Sequence, residues 1–156
     1  MTEVKRKLKP RLPKGFRYLA SSDDLSLSSF SSNNAAIDNY IVSNVERWVS
    51  ERDRYLAIVY GEKDILGLMV LELHDDYLEV AVLAKNYNKA RYTKIGSSLA
   101  VLAESIARDL GKKEIRLEAM QNSHRWWNEI MHYEQYMPSY HDPVFGVLTP
   151  KRKILY

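Results

Sequence analysis

The 156-residue chain is 46% apolar and 28% charged and contains no cysteine, an ordinary globular composition for a single domain. The lack of Cys excludes a disulfide framework, a thiolate nucleophile and any Cys-based zinc or iron–sulfur site. The net charge of +3 belongs to one end, because the first seventeen residues hold seven Lys and Arg against Glu3, for +6, and the remainder carries −3.

No apolar run approaches about 18 residues and no apolar segment opens the chain, so neither membrane insertion nor secretion is expected. The cytoplasm is the default location. Residues 1–15 are expected to form a basic flexible tail ahead of one domain at 16–156. A contact to nucleic acid or to an acidic partner is the other use such a tail could have.

Past Pro10 and Pro13, residues 16–20 read as a first strand. SSDD at 21–24 offers N-cap chemistry for a helix near 25–30, and SSNN at 31–34 is a second loop and cap. Ile37, Tyr40, Ile41, Val45 and Trp48 recur at three and four residues, which predicts an amphipathic helix over 35–50. YLAIVY at 55–60 is an apolar strand, GEKD a turn, and 65–73 the next strand. After His74-Asp75-Asp76, residues 77–84 form a third strand, within which LEVAVLA alternates.

Arg91 to Gly111 is the most informative stretch. A basic turn bearing Gly96 runs into a helix over 97–110 that buries Leu99, Leu102, Ala103, Ile106 and Leu110, with Gly111 as its stop. A strand handing over to a helix start in this way presents free backbone N–H groups and a positive dipole end to a phosphate or pyrophosphate. Ile115, Leu117 and Ala119 alternate in a further strand. Ser123 can cap a long last helix, HRWWNEIMHYEQYM, with Trp126, Trp127 and Met131 facing the core as Trp48 does, ending before Pro138. Residues 144–148 and 153–156 read as two final strands around Thr149-Pro150. The four histidines lack metal-ligand spacing, and no metal is expected. The order β-α-α-β-β-β-α-β-α-β-β is mixed α/β, with an antiparallel beginning and a crossover helix in the middle.

This order, with a phosphate-type turn after the fourth strand, resembles the GNAT superfamily of acyl-CoA-dependent N-acetyltransferases. The family loop reads Arg or Gln, two residues, Gly, one residue, then Gly or Ala. The same places here hold Arg91, Tyr92-Thr93, Lys94, Ile95 and Gly96, departing at Lys94. The resemblance implies an α+β domain with a largely antiparallel sheet of about six to seven strands and about four helices. It implies acetyl-CoA as the acyl donor, its pyrophosphate on the N–H groups of residues 92–98, assisted by Arg91, Lys94, Ser97 and Ser98. Val82 and Leu83 would pair with the pantetheine amides, and Asn122 would contribute beyond the fifth strand.

The acetyl group would pass to a primary amine by direct attack in a ternary complex. Glu79 resembles the carboxylate that acts as general base in some members, with Glu72, next to His74, as second candidate. Tyr133 sits where the family has a tyrosine that serves the departing thiolate. Tyrosine titrates near ~10 and a thiol near ~8.5, so a hydrogen bond suits it better than full proton transfer. Tyr136 and Tyr140 are its reserves.

The acceptor could be a protein amine, a small molecule or aminoacyl-tRNA. SSNNAAIDNYI at 31–41 resembles a segment of GNAT toxins that acetylate aminoacyl-tRNA, and the basic tail would suit an RNA-borne amine. A homodimer is compatible with the resemblance. The competing expectation is a catalytically inactive module of the same fold that binds CoA or nucleic acid.

Overall fold

A computed structural model describes residues 9–89 and 94–155. The elements run β1 (Phe16–Tyr18), α1 (Ala35–Ser50), β2 (Tyr55–Tyr60), β3 (Gly67–Leu73), β4 (Tyr77–Lys85), α2 (Ile95–Asp109), β5 (Glu114–Met120), a π turn (Trp126–Ile130), β6 (Glu134–Gln135), β7 (Tyr140–Asp142) and β8 (Gly146–Ile154). All eight strands join one sheet in the order β1-β2-β3-β4-β5-β8-β6, with β7 also on β8. Every pair is antiparallel except β4 with β5.

The sheet separates two cores. Leu56, Ile58, Met69, Leu71 and Ile115 pack against Leu99, Ala103 and Ile106 of α2. On the other face Ala57, Val59, Leu68 and Val70 meet Ile41 and Trp48 of α1. The period-3.6 stripe of each helix supplies its apolar face, and central strands buried on both sides read as near-continuous apolar runs. Asn34 caps α1 by accepting from the Ile37 amide at 3.0 Å. Gly111 ends α2 at φ +72.

Three elements differ from expectation. Residues 25–30 form no helix. Asp24 accepts from the Ser26 amide and the Ser29 hydroxyl, and Asp23 accepts from the Ala20 amide. These short side chains satisfy the backbone locally, and the run is too short to nucleate a helix. Leu25 and Phe30 instead plug the α1-side core.

The long last helix is also cut short. Its turn at Trp126–Ile130 widens to π geometry, with the Met131 amide donating to Trp126 O. His132 then takes φ +63, which stops the helix, and Glu134 and Gln135 pair with Arg152 and Lys151. The expected final strands are one continuous β8 running through Pro150. Proline cannot donate to a ladder, and the interruption falls on the neighbouring chain, between β6 and β7, where Tyr136 N reaches Pro150 O.

The described part of the basic segment lies against the domain. Leu12 packs on the α2-side core, and Lys9 Nζ sits 4.5 Å from the centre of the Tyr18 ring. No helix among the described residues is long and apolar enough to cross a membrane.

Candidate functional site

The parallel pairing of β4 with β5 spans only Tyr77/Glu114 to Val80/Leu117. Beyond it β4 continues on β3 to Lys85, and β5 continues on β8 to Met120. The two strands therefore part like a wedge, and alternate backbone groups of β4 past Val80 have no strand on that side. The register slips at the same place, where Val70 faces Val82 and Leu71 faces Val80, leaving Ala81 as a bulge. Leu78 and Val80 point to the α2-side core, whereas Val82 and Ala84 point to the α1 side. A cleft of about 410 Å³ occupies the wedge, lined by Val82, Leu83, Leu117, Asn122, Ser123 and Trp127, with Glu72, Glu79, Glu118 and Tyr40 on its α1 side.

Helix α2 begins beside this wedge. Its N-cap, Lys94, is exposed and offers no side-chain hydrogen bond to the first turn, so among the described residues that turn has no side-chain cap. Among the described residues, a Cβ built on Gly96 would meet only Leu83 Cδ2 of β4, at 3.6 Å. Ile95 is buried, Ser97 half-buried and Ser98 exposed. Arg91, Tyr92 and Thr93 lie outside the described residues.

Glu79 does reach the cleft. His74 Nε2 is 3.2 Å from its Oε1 and 3.8 Å from Glu72 Oε2, and the imidazole is stacked on Tyr77 with 4.3 Å between ring centres. Glu72, His74 and Glu79 bring one ligand atom each within 4.8 Å of one another. Arg54 already donates to Glu72 at 3.1 Å, however, placing a permanent cation beside the cluster. The imidazole makes one hydrogen bond, to Glu79, and stands near Glu72.

Tyr133 stands beyond the π turn and not on a helix, and it does not line the cleft. It is 1% exposed, packed edge-on against Trp127, which does line the cleft, at 5.0 Å between ring centres. Its hydroxyl is buried and makes no hydrogen bond among the described residues. Burial, and secondarily the charge of Glu104, push it far above the usual tyrosine range. Tyr136 and Tyr140 lie on the other face, in a recess of about 230 Å³ with Tyr77, Glu79, Arg116 and Glu118.

Three contributors escape the sequence reading. Glu118 belongs to both the cleft and the recess, and burial, followed by the charges of Glu79 and Asp142, raises its carboxyl above the usual range. Its signal is its phase, since it alternates with the buried Leu117 and Ala119. Asn86, 1% exposed, ties the end of β4 to the loop before α1. Its amide nitrogen donates to Ser29 O and Ile65 O, and its Oδ1 accepts from the Ser31 and Asn88 amides. Tyr40 of α1 meets Phe145 edge-on at 5.6 Å, so α1 and the turn before β8 close over the cleft.

No protein-family model matches the chain, and no curated protein matches it. Solved structures do. A GCN5-related N-acetyltransferase from Rhodopseudomonas palustris superposes with TM-score 0.66 at 12% identity, covering 90% of this chain and 94% of that one. A GNAT family acetyltransferase from Elizabethkingia anophelis, solved with acetyl-CoA bound, gives 0.63 at 9% identity over 90% and 97%. The PaiA N-acetyltransferase of Thermoplasma acidophilum, in complex with coenzyme A, gives 0.63 at 18% identity over 90% and 98%. The chain has the fold of the GNAT acetyltransferases.

Proposed function

We propose that this GNAT-fold chain is an N-acetyltransferase that moves an acetyl group from acetyl-CoA to a primary amine by direct attack. The observation that carries this reading is the wedge between β4 and β5, which opens beside the uncapped start of α2. One feature fits such a donor, the space that Gly96 leaves over Leu83 among the described residues.

When bound, acetyl-CoA supplies a thioester whose C–S bond breaks as the amine nitrogen forms its C–N bond, the sulfur leaving as a thiolate that takes up one proton. The first-turn amides of α2, with Lys94, Ser97, Ser98 and Arg91, would hold the pyrophosphate. The free β4 backbone at Val82 and Leu83 would pair with the pantetheine arm, and Asn122 would border it. Glu79 takes the proton that the attacking amine must lose, and His74 holds that carboxylate in place. Tyr133 would reach the leaving sulfur as a hydrogen-bond donor only once Trp127, which lines the cleft in front of it, swings aside.

Calorimetry with acetyl-CoA, followed by mass spectrometry of amine, peptide and tRNA substrates, tests the reading. The expected result is acetyl-CoA binding and a mass gain of one acetyl group on an amine. Absence of acetyl-CoA binding, together with salt-sensitive binding of nucleic acid, would support the inactive module instead.

A further inference from the structure

The cleft is electrically divided. Glu72, Glu79 and Glu118 stand on its α1 side, and Lys85 lines it at the far end of β4. Lys85 is half-buried, and no carboxylate pairs with it among the described residues. Its ammonium lies 5.0 Å from the centre of the Tyr87 ring, an exposed residue that also lines the cleft. An exposed ring holds a cation only weakly, so this charge can still serve an anion.

The face from which Lys85 emerges follows from the register. Lys85 stands opposite Gly67 in the antiparallel pair of β3 and β4, and residues directly opposite share one face of the sheet. A Cβ on Gly67 would meet Ile95 and Leu99, so Lys85 leaves the sheet on the α2 side, beside the first turn of that helix. Leu83, opposite Met69 of the α2-side core, leaves on the same side. The base of the lysine is also fixed. The Asn86 amide donates to Leu66 O and the Tyr87 amide to Ser31 O, both at 2.8 Å. The buried Asn86 carboxamide adds four bonds of its own, so a flexible stem starts from a rigid point.

We propose that Lys85, which precedes the loop from Arg91 to Gly96, is a donor-binding residue that holds the pyrophosphate of acetyl-CoA and fixes which way the donor lies in the cleft. This rests on the acyl-transfer reading and adds a residue to the same site. The thioester must end near Glu79, where three carboxylates repel phosphate. Roughly 17–20 Å of strand separates Glu79 from Lys85, the order of length of an extended pantetheine arm. One end of the cleft then attracts the phosphates and the other turns them away.

Titration calorimetry with acetyl-CoA compares the wild type with Lys85→Met and Lys85→Arg, each checked by its melting temperature without ligand. K85M should melt with the wild type, because Lys85 has no ion pair to lose among the described residues. It should bind acetyl-CoA about five- to tenfold more weakly at low salt, the worth of one charge-assisted contact at a partly exposed site. That gap should narrow as salt rises, and K85R should keep most of the affinity. The same gap is expected with 3′-dephospho-acetyl-CoA, whose pyrophosphate is intact. Equal affinity in folded K85M, or a loss that salt does not alter or that K85R shares, overturns the proposal. So does a gap that vanishes with the dephospho donor, which would place Lys85 at the 3′-phosphate. Absence of acetyl-CoA binding by the wild type overturns the acyl-transfer reading beneath it.

Discussion

A Cβ added to Gly67 of β3 would lie 2.6 Å from Ile95 Cγ2 of α2 and 3.1 Å from Leu99 Cδ1. This glycine therefore lets the first turn of α2 sit directly on the sheet. Gly67→Ala must push that turn outward, since Ile95 is buried and its branched side chain has little room to yield. A loss of about 1–3 kcal/mol is expected from overpacking, read by urea denaturation. Acetyl-CoA affinity should fall with it. Unchanged stability would mean that α2 is free to shift.

Gly96 faces the opposite circumstance. Among the described residues only Leu83 is near, at ordinary contact distance, so Gly96→Ala should fold normally and Gly96→Trp should fill the wedge. Titration calorimetry should show acetyl-CoA affinity reduced by about 100-fold or more in the tryptophan variant, since a donor that cannot enter loses its phosphate contacts. Retained affinity in G96W would place the donor elsewhere.

Tyr133→Phe should separate stability from activity. The hydroxyl is buried and unpartnered, and removing an unsatisfied polar group is neutral or stabilising by about 1 kcal/mol. Burial also keeps this hydroxyl protonated, so it remains a donor throughout the working pH range. Turnover should fall by about 10- to 100-fold while the melting temperature holds or rises. A lower melting temperature with full activity would make Tyr133 a packing residue and promote Tyr136 or Tyr140.

Asp23 supplies a pH signature. Arg17 clamps both its carboxylate oxygens at 2.8 Å, and the Ala20 amide adds a bond of 2.7 Å. The Arg17 hydrogen bond is the main reason its carboxyl lies below the usual range. A depressed native value means that the stabilisation is complete above the unfolded value of about 4 and is lost as pH falls through the native one. Asp23→Asn should cost about 1–2 kcal/mol at neutral pH, and the gap to wild type should close on acidification. A gap independent of pH would rule out this origin.

Much of the fold is visible in the chain because its patterns are strong. The stripe Ile37, Tyr40, Ile41, Val45, Trp48 marks α1 at its observed bounds, and Leu99 to Ile106 marks α2. The wedge could be inferred only through the resemblance, since Leu78, Val80, Val82 and Ala84 look like a single face of one strand. The bulge at Ala81 divides them between two cores, and nothing local in LEVAVLA distinguishes a bulged strand from a regular one. The end of the last helix was hidden for a similar reason. WWNEIM is good helical sequence, and the stop comes from His132 in a left-handed conformation that glycine more often supplies. Glu118 went unnoticed because one charged residue in an alternating strand is the normal mark of a solvated side.

The bulge at Ala81 also makes β4 sensitive to its length in a way its composition is not. Exchanging one aliphatic residue for another along Val80 to Ala84 alters packing by degrees. Removing or adding a single residue would turn Val82 and Ala84 toward the opposite core and carry Asn86 away from the loop it anchors. Variation in this strand should therefore be found among substitutions and not among insertions or deletions, so that the count of residues between Glu79 and Asn86 is itself a determinant of the site.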